Sequence, residues 1–226
     1  MPQHEIGFLI FPNLTQLDFT GPLQVLSRLP GARTHIVARS LEPIPTDCGL
    51  SLLPTVTLED CPKLDLLCVP GGFGVVDVMK DDTSLDFVRR QAASARYVTS
   101  VCVGAFVLGA AGLLRGKRAT THWAYTDLLP LVGATYEKAR VVRDGDLITA
   151  GGVTAGIDFG LVLVAEMAGR EAAETVQLSI EYDPAPPFDA GHPDRAPTPV
   201  RTALVDRYAK SVQTYRDALV LVRPAA

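Results

Sequence analysis

The run Tyr97 to Trp123, YVTSVCVGAFVLGAAGLLRGKRATTHW, constrains this chain more than any other. Its β-branched apolar segment, Tyr97 to Val101, ends on Cys102, and small-residue helical sequence follows at once. A strand that turns into a helix this abruptly leaves the side chain at the bend pointing out of the sheet. There it lies beside N–H groups of the first helical turn that have no intrahelical partner. Those donors favour negative charge, and cysteines at helix N-termini have pKa values lowered from about 8.5 to roughly 3.5–7.5. Cys102 is therefore a candidate nucleophilic thiolate. The alternative is that it serves as a small buried hydrophobe.

The flanking sequence says what surrounds that bend. Apolar, strand-like runs are predicted over 5–11, 33–38, 64–70, 97–101 and 147–150. Helical patterns are predicted over 21–29, 84–95, 123–131, 155–168, 171–182 and 200–222. Hairpins are expected between Glu42 and Leu52 and around Asp144-Gly145. Strands alternating with helices predict an α/β fold, a mostly parallel sheet covered on both faces. At 226 residues there is chain enough for one such domain with a substantial core.

In an open α/β sheet, ligands bind beyond the carboxyl ends of the strands. Three junctions share that edge here: Asp18 after the first strand, the Gly71-Gly72 turn, and Cys102. Asp18 alone reads as a turn or cap residue. Gly71, Gly72 and Gly74 leave main-chain N–H groups free to hold an anion. A thiol, a carboxyl group and backbone donors brought together make a nucleophilic site, which none of them makes alone. A further glycine pair, in Gly151-Gly152-Val153-Thr154, predicts another close backbone approach at a strand-to-helix junction.

Composition excludes several classes of function. The net charge of −4 comes with no basic cluster, which argues against nucleic-acid and membrane-surface partners. No apolar run approaches 18 residues, and the N-terminus lacks a secretory pattern. The cysteines, at 48, 61, 68 and 102, have no CxxC spacing, and the four histidines are scattered, so a reduced, cytoplasmic chain without a metal is expected. The Gly71–Gly74 turn is not GxGxxG and no dinucleotide cofactor is expected. His122, twenty positions after Cys102, reads as structural, with a general base as the alternative. Residues 183–199, DPAPPFDAGHPDRAPTP, are expected to form an ordered arm, because Phe188 would otherwise be exposed. The division expected is a domain over 1–182, then the arm and a last helix over 183–226, packed on that domain or on a partner copy.

At these residues the chain resembles the PfpI-like superfamily, the class I glutamine-amidotransferase-like group with a cysteine on a nucleophile elbow, and within it the isocyanide hydratases. The resemblance covers nearly the whole chain, through IGFLIFP, LDFTGP, VPGG, ARYVTSVC, LGAAGLLRGKRATTHWAY, RVVRDGDLITAGGVTAGIDF and EYDPAPPFDAG. It implies a flavodoxin-like three-layer sandwich, no cofactor, a homodimer, and the conversion of an isocyanide plus water to an N-substituted formamide. Carried across, Cys102 matches the nucleophile and Asp18 the acid/base partner, where the wider superfamily more often has glutamate. Gly72, Val103, Gly152 and Val153 fall at substrate-binding or oxyanion positions. The implied reaction has the Cys102 thiolate attack while protonated Asp18 supplies a proton, giving a thioimidate that water then opens.

One position departs from the pattern. Hydratases of this group usually carry threonine after the nucleophile, as CTG, whereas this chain has Val103 in CVG. A competing reading is a ligand-binding or regulatory protein related to the amidotransferase-like module of AraC-type regulators. Those continue into a two-unit DNA-binding region, and only about forty residues follow Tyr182 here. Glyoxalase or stress-protein activity would expect glutamate where Asp18 stands.

Overall fold

Strand β1 (His4–Leu9) is the axis of a seven-stranded sheet. On one side it pairs in parallel with β2 (Ala32–Ala38), Phe8 opposite Ile36, and β2 continues to β5 (Val56–Thr57). On the other side it pairs with β6 (Leu66–Val69), Phe8 opposite Cys68. The short strands β3 (Ile44–Pro45) and β4 (Ser51–Leu52) form the expected hairpin between them. Beyond β6 come β7 (Tyr97–Val101) and then β11 (Leu147–Ala150), all parallel. The antiparallel β10 (Val141–Asp144) closes the edge through the Asp144-Gly145 hairpin. The structure, a computed structural model, describes residues 3–222.

Burial explains why these runs are strands. All four residues of β6 and all five of β7 are buried, as expected of parallel strands covered on both faces. The order of strand addition reverses at β1, so right-handed crossovers place α1 (Gln16–Leu26) on one face and α3 (Asp82–Ala92) on the other. Helices α5 (Ala155–Ala168) and α6 (Arg170–Ser179) join α1. The opposite layer holds α2 (Val75–Val78), α4 (Ala105–Ala110) and a 3-10 helix over Trp123–Val132. Strands β8 (Arg118–Ala119) and β9 (Thr135–Tyr136) form a separate small ladder. The last helix, α7 (Thr198–Leu221), lies against the 3-10 helix and α2 of the same chain. The result is the flavodoxin-like three-layer arrangement.

The switch in strand order between β1 and β6 places the crevice beyond their carboxyl ends, where α1, the Gly71-Gly72 turn and Cys102 meet. Register extends the convergence. Ala150 stands opposite Val101, and the Cys102 N–H then donates to the Gly151 carbonyl at 3.0 Å, carrying the Gly151–Thr154 turn up against the thiol.

Two expectations are corrected here. The first helix begins at Gln16 rather than near Gly21, so Asp18 sits inside its first turn and not ahead of it. Gly21-Pro22 reads locally as a helix start, but Pro22 lies in the helix interior, where its missing N–H leaves the Asp18 carbonyl without its usual partner. The start at Gln16 is supported from outside the helix, by Asp47 Oδ1 accepting the Gln16 N–H at 3.2 Å. Phe188, second, is 79% exposed and does not anchor the arm. An exposed ion pair links that segment to the rest of the chain, Lys138 with Asp194, and a second, Arg195 with Asp189, lies within it.

Candidate active site

Cys102 occupies the corner between β7 and a single 3-10 turn, with φ at +57°, a left-handed conformation uncommon for any residue but glycine. Such torsions cost on the order of 1–3 kcal/mol and persist where surrounding contacts over-determine them. Two contacts do so. The Cys102 N–H is held by the Gly151 carbonyl, and the Cys102 carbonyl accepts the Thr121 hydroxyl at 2.8 Å. The thiol is thereby fixed in an enclosed position, with Cys102 only 6% exposed.

Asp18 approaches from α1 and is completely buried. Its Oδ2 accepts the Gly71 N–H at 3.0 Å, while Oδ1 has no hydrogen-bond partner. Gly71 is what makes the approach possible. A Cβ there would lie 2.7 Å from Asp18 Oδ2, 2.8 Å from the Val103 nitrogen and 2.9 Å from Cys102 Cβ. The glycine selected for bare donors thus has a second use, because only a residue without a side chain lets the carboxyl, the thiol and the turn share one point.

Burial decides the protonation of the pair. It lifts the Asp18 pKa from 3.8 to about 7, against the opposing influence of the Cys102 thiol and the Gly71 N–H. Burial, reinforced by the Asp18 charge, also pushes the Cys102 thiol well above its usual value, although the Val103 and Val153 N–H groups face the sulfur and favour its ionised form. The helix-terminal donors expected to favour a thiolate are therefore present but opposed. The terminus acts as predicted, but enclosure and a carboxylate neighbour outweigh it. The two groups titrate as a pair, in which burial opposes a charge on either and the Val103 and Val153 N–H groups favour it on sulfur.

The other expected positions divide. Val103 and Val153 both present N–H groups to the sulfur. Val153 does so with φ at +27°, a rare conformation for a β-branched residue. Gly72 lies in the Gly71 turn with φ at +119°, and its carbonyl accepts the Tyr215 hydroxyl at 2.6 Å. Gly152 packs against the ring of His122 rather than the thiol, with Cδ2 of that ring 2.7 Å from where a Cβ would stand. His122 caps the 3-10 helix through Nδ1, which accepts the Ala124 N–H at 3.3 Å. Burial lowers its pKa to about 4, so its imidazole is neutral at neutral pH.

A groove of about 560 Å³ lies on the far side of Gly152 and Val153, lined also by Trp123, Lys138 and His192, and Cys102 and Asp18 are not among its walls. Among the described residues no cluster of three or more His, Cys, Asp or Glu side chains could hold a metal ion, and no helix is long and apolar enough to cross a membrane.

Thr121 and Tyr215 were not singled out in the sequence. Thr121 lay within the TTHW run but carried no distinguishing signal. Tyr215 shares a helical face with Tyr208 and Leu219, a periodicity that marks burial without saying what is met.

An elbow cysteine beside a buried carboxyl group, at the switch point of a flavodoxin-like sheet, defines a class, and the sequence places the chain within it. It belongs to the DJ-1/PfpI family, whose model matches residues 4–166. Among its relatives, isonitrile hydratase of Pseudomonas putida is 59% identical over 209 residues, covering 92% of each chain. A crystal structure of a THiJ/PfpI family protein from Pseudomonas syringae superposes with a TM-score of 0.95 at 44% identity, covering 97% of this chain and 91% of that one. An HTH-type transcriptional regulator of Pseudomonas aeruginosa is 31% identical over 187 residues, 79% of this chain but 54% of the regulator.

Proposed function

We propose that this protein is an isocyanide hydratase, a lyase that converts an isocyanide and water to an N-substituted formamide with Cys102 as nucleophile and Asp18 as acid and base. The observation that carries the reading is the 59% identity, over 92% of both chains, to a protein named isonitrile hydratase. The chemistry of the Asp18–Cys102 pair supports it independently.

The reaction starts from the Asp18–Cys102 pair with one proton shared between them. Asp18 takes the Sγ proton as the sulfur bonds to the terminal carbon of R–NC, then delivers that proton to the same carbon, giving the thioimidate Cys102–S–CH=N–R. Asp18, again ionised, accepts a proton from water as the oxygen adds to the carbon, and passes it to nitrogen. The C–S bond then breaks with its electrons on sulfur, where the Val103 and Val153 N–H groups favour the charge. The remaining hydroxyl proton returns to sulfur through Asp18, and R–NH–CHO leaves. One carboxyl group serves every transfer, and a pKa near 7 suits it to both giving and taking a proton at neutral pH.

Gly72 and Gly152 are proposed to bound the substrate, and the functional unit is proposed to be a cytoplasmic homodimer with residues 183–226 as its arm and closing helix, binding no nucleic acid. Val103, which lacks the hydroxyl usual in hydratases, is the feature that favours a ligand-binding reading instead. Formamide release from a simple alkyl isocyanide, with methylglyoxal as a control substrate, separates the two. Formamide production supports the hydratase. Folded, reduced protein that consumes neither compound refutes it in favour of the binding protein.

A further inference from the structure

The last helix reaches the active-site turn. Tyr215 of α7 is only 1% exposed, and its hydroxyl donates to the carbonyl of Gly72, 143 residues earlier, at 2.6 Å. Phe106 of α4 and Tyr125 of the 3-10 helix grip the ring, with centroids 5.7 and 5.0 Å away. This side chain lies outside the stretch matched to the family model, which ends at residue 166.

What it holds has little stiffness of its own. Gly72 adopts φ +119°, a conformation open to glycine but not fixed by it. The Gly71 and Gly72 carbonyls accept three hydrogen bonds, from the Thr15 N–H at 3.0 Å, the Val75 N–H at 3.2 Å and the Tyr215 hydroxyl, and the Gly74 N–H donates to the Asn13 carbonyl at 3.3 Å. The first two come from the adjoining loops, whereas the third ties the turn to a separate packed helix and is the shortest. The same turn presents the Gly71 N–H to Asp18 Oδ2, so a change in its orientation is felt directly at the carboxyl group.

We propose that Tyr215 is a positioning residue for the reaction: its hydroxyl fixes the Gly71-Gly72 turn, and through it the hydrogen bond that holds Asp18 against Cys102. The role given to the Asp18–Cys102 pair rests on the hydratase reading, while the mechanical link does not. The phenol remains a donor throughout, because burial first, and then the charges of Cys102, Tyr125 and Asp18, push its ionisation well above the ordinary tyrosine value. Its hydroxyl bonds the Gly72 carbonyl and not Cys102 or Asp18.

The test compares Tyr215→Phe with Tyr125→Phe in the full chain. Tyr215→Phe keeps the ring and removes one hydroxyl. Tyr125→Phe breaks another anchor of the same helix, the 2.8 Å bond between Tyr125 and Ser211, without touching the turn. For Tyr215→Phe the expected result is a kcat about tenfold lower with KM within about twofold of wild type, the size expected for modest misplacement of a catalytic group. The acid limb of its pH–rate profile should move to higher pH, since loosening the Gly71 bond removes one of the influences that lower the Asp18 pKa. Tyr125→Phe should show neither effect. Unchanged kcat and acid limb in Tyr215→Phe, or equal changes in both variants, overturn the proposal. So does a Tyr215→Phe chain that fails to fold where Tyr125→Phe folds, because the hydroxyl is then a determinant of the fold. The pH dependence of thermal unfolding, compared between the two variants, reports the Asp18 shift without any turnover. If wild type hydrates no isocyanide, that titration still decides the link between Tyr215 and Asp18.

Discussion

Asp18→Asn should stabilise the protein at neutral and alkaline pH while disabling it. The wild-type carboxyl is fully enclosed and one oxygen lacks a partner. In the unfolded chain it ionises near 3.8, whereas in the native state burial holds its proton on until about pH 7. Between those values the native state binds the extra proton. The stabilisation from that proton is therefore complete below pH 3.8 and lost as pH rises through 7. At about 1.4 kcal/mol per tenfold change in proton affinity, moving from 3.8 to about 7 corresponds to about 4 kcal/mol. Asparagine has nearly the same shape, its amide oxygen can accept the Gly71 N–H, and it carries no charge at any of these pH values. With each kcal/mol moving Tm by roughly 2–4 °C in a chain of this size, the Tm advantage of the variant should grow by about 10 °C between pH 4 and pH 8. Paired thermal unfolding by circular dichroism under reducing conditions, in steps across that range, measures it. Taking the difference between the two proteins cancels every other titrating group. A Tm difference that does not change with pH would refute the claim that Asp18 is an enclosed carboxyl group whose ionisation costs stability.

Three further outcomes follow from the same geometry. The rate of formamide formation should fall on the acid side with a midpoint near pH 7, because protonated Asp18 cannot take the thiol proton; a profile flat down to pH 5 contradicts this. Gly71→Ala should lower kcat at least about a hundredfold, since its Cβ displaces Asp18, Val103 or Cys102 by tenths of an ångström or more. Its far-ultraviolet circular dichroism should match wild type, and near-normal turnover would show that the close approach is unnecessary. Val103→Thr should raise kcat/KM about threefold to tenfold, the equivalent of one hydrogen bond of roughly 0.5–1.5 kcal/mol. A decrease measured on the same isocyanide would mean that the missing hydroxyl is no deficit.

Much of this arrangement was legible because it is local. The apolar runs of β6 and β7 fix two adjacent buried strands, and a thiol placed directly after one of them can emerge only at the carboxyl edge. What escaped is set by residues far apart in sequence. Asp18 looked like a residue ahead of its helix because Gly21-Pro22 carries the local start signal, whereas the helix begins where Asp47, from a distant loop, accepts the Gln16 N–H. The helix terminus at Cys102 suggested a thiolate, and its N–H groups do face the sulfur. Enclosure by α1 and the Gly71 turn, which no local pattern encodes, reverses the direction of the shift. Val153 was chosen for the glycines before it, but its positive φ belongs to the folded turn and to no feature of the sequence. Phe188 is exposed rather than covered, and the charged pairs at the arm, Lys138–Asp194 and Arg195–Asp189, join residues that no local pattern matches.

The central claim is that bond formation to Cys102 Sγ, assisted by Asp18, is the chemistry of this site. Acid-quenched protein, sampled during turnover of an alkyl isocyanide and examined by intact mass and peptide mapping, tests it most directly. The account predicts a mass increase equal to one isocyanide, carried by the Cys102 peptide and absent from Cys102→Ala, which should make no formamide. Formamide production by Cys102→Ala at the wild-type rate would contradict it.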